Sequence, residues 1–258
     1  MMKGIFDTHA HYDDARFADS LNDTLINNNQ NGVVGIINCA VDYASADACL
    51  ALADRYGFCY AAAGVHPENI PSEEVDVAPL YDLMKHKKAV AVGEIGLDYH
   101  WEDCAPKDIQ QQWFCAQLKV ANELDRPVII HSRDAAADTL AIVREYRPKG
   151  VLHCFSGSAG SAKEYTDLGL YIGLGGVVTF KNARKAVEVA QWVPLNRLLI
   201  ETDCPYMAPE PFRGRRSDST MVPKMAEKIA ELRGLPLETV AKATRKNAID
   251  LFRIPVEA

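Results

Sequence analysis

Phe6-Asp7-Thr8-His9-Ala10-His11 overlaps the end of the first strand-like run of the chain, and its reading decides how every later repeat is placed. Side chains alternate along an extended strand, so His9 and His11 share a face, roughly 7 Å apart along the backbone. That spacing lets two imidazoles grip one divalent ion, because neutral His nitrogen suits zinc and its neighbours. Taken alone, His-x-His on a strand equally describes two solvated or capping residues. Its meaning rests on where the other histidines and acids fall.

Seven more short apolar runs follow the first, which spans 4–9: 33–41, 59–66, 89–95, 127–132, 150–155, 170–177 and 198–202. They are continuous rather than alternating, as expected for parallel strands buried on both faces. Helical periodicity fills the gaps at about 19–31, 44–56, 73–87, 107–125, 134–147, 160–168 and 182–192, and two further helices close the chain at 222–233 and 236–252. The longest of the intervening segments sets Ile109, Trp113, Ala116, Val120 and Leu124 on one stripe. Eight strand–helix repeats in 258 residues predict an α/β fold, a (β/α)8 TIM barrel forming one domain over residues 1–258. A doubly wound open sheet is the alternative. Gly173-Leu174-Gly175-Gly176 lacks the third glycine of a dinucleotide fingerprint, and the chain holds no Walker A loop, HExxH or GxSxG.

Composition narrows the partners. A net charge of −7 gives no general attraction to nucleic acid, so a polyanion needs a local basic patch or metal to hold it. Seven cysteines without a CxxC pair read as reduced thiols of a cytoplasmic protein. The N-terminus carries no apolar signal stretch and no later segment approaches a membrane span, so no membrane partner is expected.

Five of the seven histidines sit at or just past the carboxyl ends of expected strands: His9 and His11 on the first, His66 on the third, His131 on the fifth and His153 on the sixth. Glu94 and Asp203 take equivalent places on the fourth and eighth. From His9 to Asp203 the repeat averages about 28 residues, which suits a barrel whose strand ends converge on one rim. Singly, each residue reads as a cap or a solvated side chain. Together, His9, His11, Glu94, His131, His153 and Asp203 supply donors for two divalent ions. Strands one and eight are neighbours on closure, so His9, His11 and Asp203 are expected to hold one ion, His131 and His153 the other, and Glu94 to bridge. A divalent ion lowers the pKa of water and makes a nucleophile available near neutral pH, with Asp203 placed to accept its proton. Asp203 and Glu94 are the expected catalytic pair. Imidazole nitrogens admit zinc, manganese, cobalt or nickel, and the carboxylates admit magnesium.

These residues stand in Asp7-Thr8-His9-Ala10-His11, Gly64-Val65-His66-Pro67, Gly93-Glu94-Ile95-Gly96-Leu97-Asp98-Tyr99, His131-Ser132-Arg133, His153-Cys154-Phe155-Ser156-Gly157 and Glu201-Thr202-Asp203-Cys204-Pro205-Tyr206. In order and place the set resembles the TatD family of metal-dependent hydrolases, within the amidohydrolase-like barrels. The resemblance implies a divalent-metal phosphodiesterase acting on DNA, a 3′→5′ deoxyribonuclease, with the same six residues as metal ligands and His66 on the phosphate-binding side. Two departures bear on substrate: His100-Trp101 follows the Gly-Leu-Asp-Tyr motif, and Arg213-Gly214-Arg215-Arg216-Ser217-Asp218-Ser219 replaces the family's usual Asn-Glu-Pro ending.

Local positive charge for a phosphodiester is available on the same rim. Arg133 follows His131, Lys181 and Arg184 follow strand seven, and Arg213, Arg215 and Arg216 follow strand eight. His66, Arg133, Lys181, Arg213 and Arg215 are the expected substrate contacts, since Arg forks onto phosphate oxygens. Gly173, Gly175 and Gly176 are expected to let a substrate backbone approach, and Trp101 or Tyr99 to stack a base, with at least one of the two packed into the protein. The expected partner is single-stranded DNA at its ends, with no obligate protein partner. The alternative is a metal-dependent ester or amide hydrolase of the same barrel type, for example an aminoacyl-RNA deacylase. A barrel that binds without catalysis is the remaining reading.

Overall fold

The computed structural model describes residues 4–255. Eight parallel strands lie side by side in chain order: β1 (Ile5–Ala10), β2 (Val33–Cys39), β3 (Cys59–Ala63), β4 (Ala89–Asp98), β5 (Val128–Arg133), β6 (Gly150–Leu152), β7 (Tyr171–Leu174) and β8 (Leu198–Ile200). Between them run α1 (Leu21–Gln30), α2 (Tyr43–Arg55), α3 (Ala78–Leu83), α4 (Lys107–Glu123), α5 (Ala136–Tyr146), α6 (Ala159–Asp167) and α7 (Arg184–Trp192), and α8 (Val222–Arg233) and α9 (Leu237–Phe252) follow the last strand. This is the expected (β/α)8 barrel, nearly closed, and the open sheet is excluded.

Closure takes place at the site itself. β1 and β8 share no regular ladder; instead the Asp203 N–H donates to the His9 carbonyl at 3.0 Å and the His11 N–H to the Cys204 carbonyl at 2.8 Å. One step below, the buried Asp7 carboxylate accepts from the Thr202 N–H (2.9 Å), the Thr202 hydroxyl (2.6 Å) and the Ser219 hydroxyl (2.7 Å). The residues that shut the barrel therefore fix His9 and His11 against Asp203.

Most strands are shorter than their apolar runs. His66, His153 and Asp203 consequently lie on the loops just past β3, β6 and β8. β1 and β5 keep their expected length, and β4 alone is longer, continuing to Asp98 because Gly96, Leu97 and Asp98 pair with His131, Ser132 and Arg133 of β5. At Gly96, φ is +146° and a Cβ would lie 2.0 Å from the His131 carbonyl oxygen, so only glycine lets the two strands approach there. The helix expected over 73–87 shrinks to α3. Pro79 fits only the first turn of a helix, since it lacks an N–H, and the Asp76 carboxylate accepts from the Ala78 N–H just ahead of it.

α4 buries Trp113 and Val120 of its expected stripe and adds two glutamines to the buried face. Gln117 accepts from the Val65 N–H (2.7 Å) and donates to the Val65 carbonyl (3.0 Å). Gln110 does the same for the Asp98 backbone, at 2.9 and 2.8 Å. Seven residues apart on one helical face, they grip the chain beside His66 and at the end of β4.

Candidate metal centre

The strand-end donors meet around the Glu94 carboxylate, whose side chain is only 4% exposed. Its Oε2 faces one set, His9 Nε2 at 3.2 Å and His11 Nε2 at 3.8 Å. Its Oε1 faces the other, His153 Nε2 at 2.7 Å, His131 Nδ1 at 3.0 Å and His66 Nε2 at 3.5 Å. Asp203 Oδ1 joins the first set, 3.4 Å from His11 Nε2 and 3.8 Å from His9 Nε2. Three overlapping groups have all their donor atoms within 4.8 Å of one another: His9, His11 and Asp203; His9, Glu94 and His153; His66, Glu94 and His131.

Partners behind the rings decide which nitrogen faces inward. His11 Nδ1 lies 2.9 Å from the Cys39 carbonyl, which only accepts, so the proton sits on Nδ1 and Nε2 points at the site. His131 Nε2 lies 2.9 Å from the buried Asp98 carboxylate, leaving Nδ1 to face Glu94. Two lone pairs then oppose each other at 3.0 Å across the His131–Glu94 contact, and the His9 and His11 Nε2 atoms are also 3.0 Å apart. Such contacts are attractive only with a cation in them, a proton or a metal ion. His9 Nδ1 and His153 Nδ1 are buried with no hydrogen-bond partner, so these rings too are held by what lies on their Nε2 side. The donor set fits divalent metal.

The electrostatics agree. Burial and the nearby His153 pull His9 down to about 4, leaving it neutral. Burial also disfavours the charged forms of His11 and His131. The Asp203 carboxylate beside His11 outweighs it, as do Asp98 and Glu94 beside His131, and both imidazoles are held up at about 9. Glu94 is desolvated, yet the surrounding histidines hold it well below the carboxylate range, and His11 and His9 likewise lower Asp203 against its burial. The centre is thus an anionic pair inside a ring of imidazoles. Asp203 adopts φ +58°, a conformation Asp tolerates, and its 19% exposed side chain is open to solvent as Glu94 is not.

Of the expected substrate contacts, His66 belongs to the centre. Its Nδ1 accepts from the Glu68 N–H at 3.2 Å, so its proton sits on Nε2 and it faces Glu94 as a donor rather than as a lone pair. Lys181, Arg213 and Arg215 are exposed on the surrounding loops and Arg133 is exposed at the end of β5, and among the described residues none of the four forms an ion pair with Glu94 or Asp203. Arg133 lies over Trp101, which is exposed, and Arg213 over Phe180. Arg216 is occupied instead, donating to the Arg16 carbonyl (2.6 Å) and the Ser20 hydroxyl (2.9 Å). Tyr99 is the packed aromatic, its hydroxyl on Asp138 and Lys107 over its ring.

The glycine expectation fails at two of its three positions. Gly173, Gly175 and Gly176 are all buried, and the missing side chains of Gly173 and Gly176 make room for the protein itself, whereas a Cβ at Gly175 would stand at ordinary contact distance and Gly175 lines a cavity beside Cys154 and Phe155. A Cβ at Gly173 would lie 2.5 Å from a Glu201 carboxylate oxygen, and one at Gly176 1.9 Å from the Met207 carbonyl oxygen. Glu201 is a residue of the site that strand-end position alone does not reveal. It sits buried behind His153, 3.8 Å from Nδ1, accepts from the Cys154 N–H, and is pushed up to about 7 by burial. Asp98 and Asp7 stand within the motifs, and only the fold gives them a role. Asp98 lies four residues after Glu94 on β4, and once that strand is seen to extend so far their shared parity places it beside the site.

The sequence matches the TatD related DNase family over residues 6–253. The protein belongs to the TatD family. It is a metal-dependent hydrolase of that family, 42% identical over 254 residues to the metal-dependent hydrolase YabD of Bacillus subtilis, covering 97% of this chain and 99% of YabD. It is 34% identical over 251 residues to the metal-dependent hydrolase TatD of Mycobacterium tuberculosis, covering 94% of this chain and 95% of that protein. The crystal structure of YjjV, a TatD homologue from Escherichia coli, superposes with a TM-score of 0.90 at 35% identity, over 99% of this chain and 100% of YjjV.

Proposed function

We propose that this TatD-family hydrolase cleaves phosphodiester bonds at the ends of single-stranded DNA, in the 3′→5′ direction, with two divalent ions held by His9, His11, Glu94, His131, His153 and Asp203. The observation that carries the reading is the division of Glu94, one oxygen toward His9 and His11 and the other toward His131 and His153. Ions bound there supply a Lewis acid for the phosphoryl oxygen and a water of lowered pKa. The protein's own groups do the rest. Asp203, anionic and partly open, takes the proton released on attack. His66 offers its Nε2–H to a phosphate oxygen, and Arg133, Lys181, Arg213 and Arg215 hold the polyanion that a chain of charge −7 would otherwise repel.

All seven cysteines are free, which suits a reducing, cytoplasmic setting, and no helix among the described residues is long and apolar enough to cross a membrane. Metal-loaded protein should shorten a 3′-exposed, 5′-labelled oligodeoxynucleotide stepwise. Turnover of aminoacyl-RNA or simple carboxylic esters with oligonucleotides left intact would replace this reading with an ester hydrolase.

A further inference from the structure

Three cavities lie end to end beside the metal centre, on one side of the barrel mouth. The first, about 520 Å3, is walled in part by His153. It shares Phe155, Ser156 and Lys185 with a second of about 380 Å3. The second shares Val177, Asn182 and Ala183 with a third of about 460 Å3, which ends at Arg213. Together they form a trench across the loops after β6, β7 and β8.

Its lining pairs apolar surface with positive charge. Phe155 and Phe180 contribute rings, and Lys181, Arg184, Lys185 and Arg213 are exposed along its length. None of these four cations is in an ion pair with a carboxylate among the described residues. Asp134 and Glu210 are the opposing charges in the lining, and Asp134 is engaged by His100 at 2.9 Å. The opposite side of the mouth reverses the pattern. Between Val65 and Met84 there is no Lys or Arg, while Glu68, Glu73, Glu74 and Asp76 are exposed. A phosphate backbone is drawn to the first side and repelled from the second, and apolar rings beside cations suit the bases and phosphates of an unpaired strand.

We propose that this trench holds the uncleaved part of a single-stranded nucleic acid, so that the strand leaves the metal centre over β6–β8 and not over β3. The inference rests on the phosphodiesterase reading above and adds a direction to it. Arg184 and Lys185 are its least encumbered probes. They begin α7, where acidic residues are favoured by the helix dipole, so charge reversal there leaves the helix sound.

The experiment compares wild type with R184E/K185E on oligodeoxynucleotides of two to eight residues, together with binding of a labelled octamer across a salt series. Melting curves confirm the fold. Wild type should gain in kcat/KM as the substrate lengthens, and the variant should lose at least tenfold of that gain. Its log–log salt slope should fall by about 1.4, at ~0.7 for each single-strand phosphate that the two side chains no longer neutralise. An unchanged length gain and slope would overturn the trench, as would a larger length gain and a steeper slope in E73K/E74K on the other side. If wild type cleaves no phosphodiester of any length, the function reading fails by itself. The octamer slope then still decides the trench.

Discussion

Asp98→Asn tests how the centre is held without touching its inward-facing donors. In the native protein Asp98 Oδ2 accepts from His131 Nε2 at 2.9 Å while Oδ1 accepts from the His100 N–H at 2.8 Å. An asparagine has one oxygen for these two donors. If the oxygen stays with His100, the amide N–H2 faces His131 Nε2 and moves the ring proton to Nδ1, where it blocks the lone pair aimed at Glu94. If the oxygen turns to His131, the His100 N–H meets a second donor. Partners behind a ligating histidine are worth 10–100-fold in metal affinity, or about 1.4–2.8 kcal/mol. The weakening should be confined to the His131–His153 side, because His9, His11 and Asp203 form no hydrogen bond or ion pair with Asp98. A two-site titration of metal-free protein against a fluorescent chelator resolves the sides: one transition should weaken 10–100-fold and the other stay put. Two unaltered transitions, or two equally weakened ones, would refute the tautomer argument.

Asp203→Asn should fold normally, since Asn tolerates φ +58° as Asp does, yet turn over at least about 100-fold more slowly, as expected for loss of a general base; kcat at saturating substrate and a melting curve check both halves. Metal uptake should release protons. His11 and His131 are held at about 9 and so carry their extra proton at pH 7 in the metal-free protein, and each must shed it to bind. Apparent affinity should therefore climb from pH 7 to about 9 and level off above it, with proton release read by calorimetry in buffers of different ionisation enthalpy; a flat profile would count against protonated imidazoles. Gly173→Ala should cost about 1–3 kcal/mol in chemical denaturation, because its Cβ has no space beside Glu201.

The barrel and the meeting of its donors are legible in the sequence because both rest on short-period rules. Continuous apolar runs mark buried parallel strands, and strand parity puts His9 with His11 on one face. What escapes depends on partners far away in sequence. Glu201 matters through His153 and Gly173, Asp7 through Thr202 and Ser219, and Gln110 and Gln117 through backbone on another strand or its following loop. No periodicity encodes such pairs. The same limit explains Gly173 and Gly176, which open space inward for Glu201 and Met207, and Arg216, whose guanidinium is spent on the Arg16–Ser20 segment. Pro79 differs, because its signal is local: a proline inside 73–87 argues for a helix that starts near it.

The proposed two-ion centre requires Glu94 to join both metal sites. Elemental analysis of metal-loaded, dialysed protein measures this most directly, with wild type compared with a folded Glu94→Ala variant. Wild type should retain about two divalent ions per chain, as a two-ion hydrolytic centre requires, and the variant at most one. Equal metal content in the two proteins would contradict a bridging Glu94.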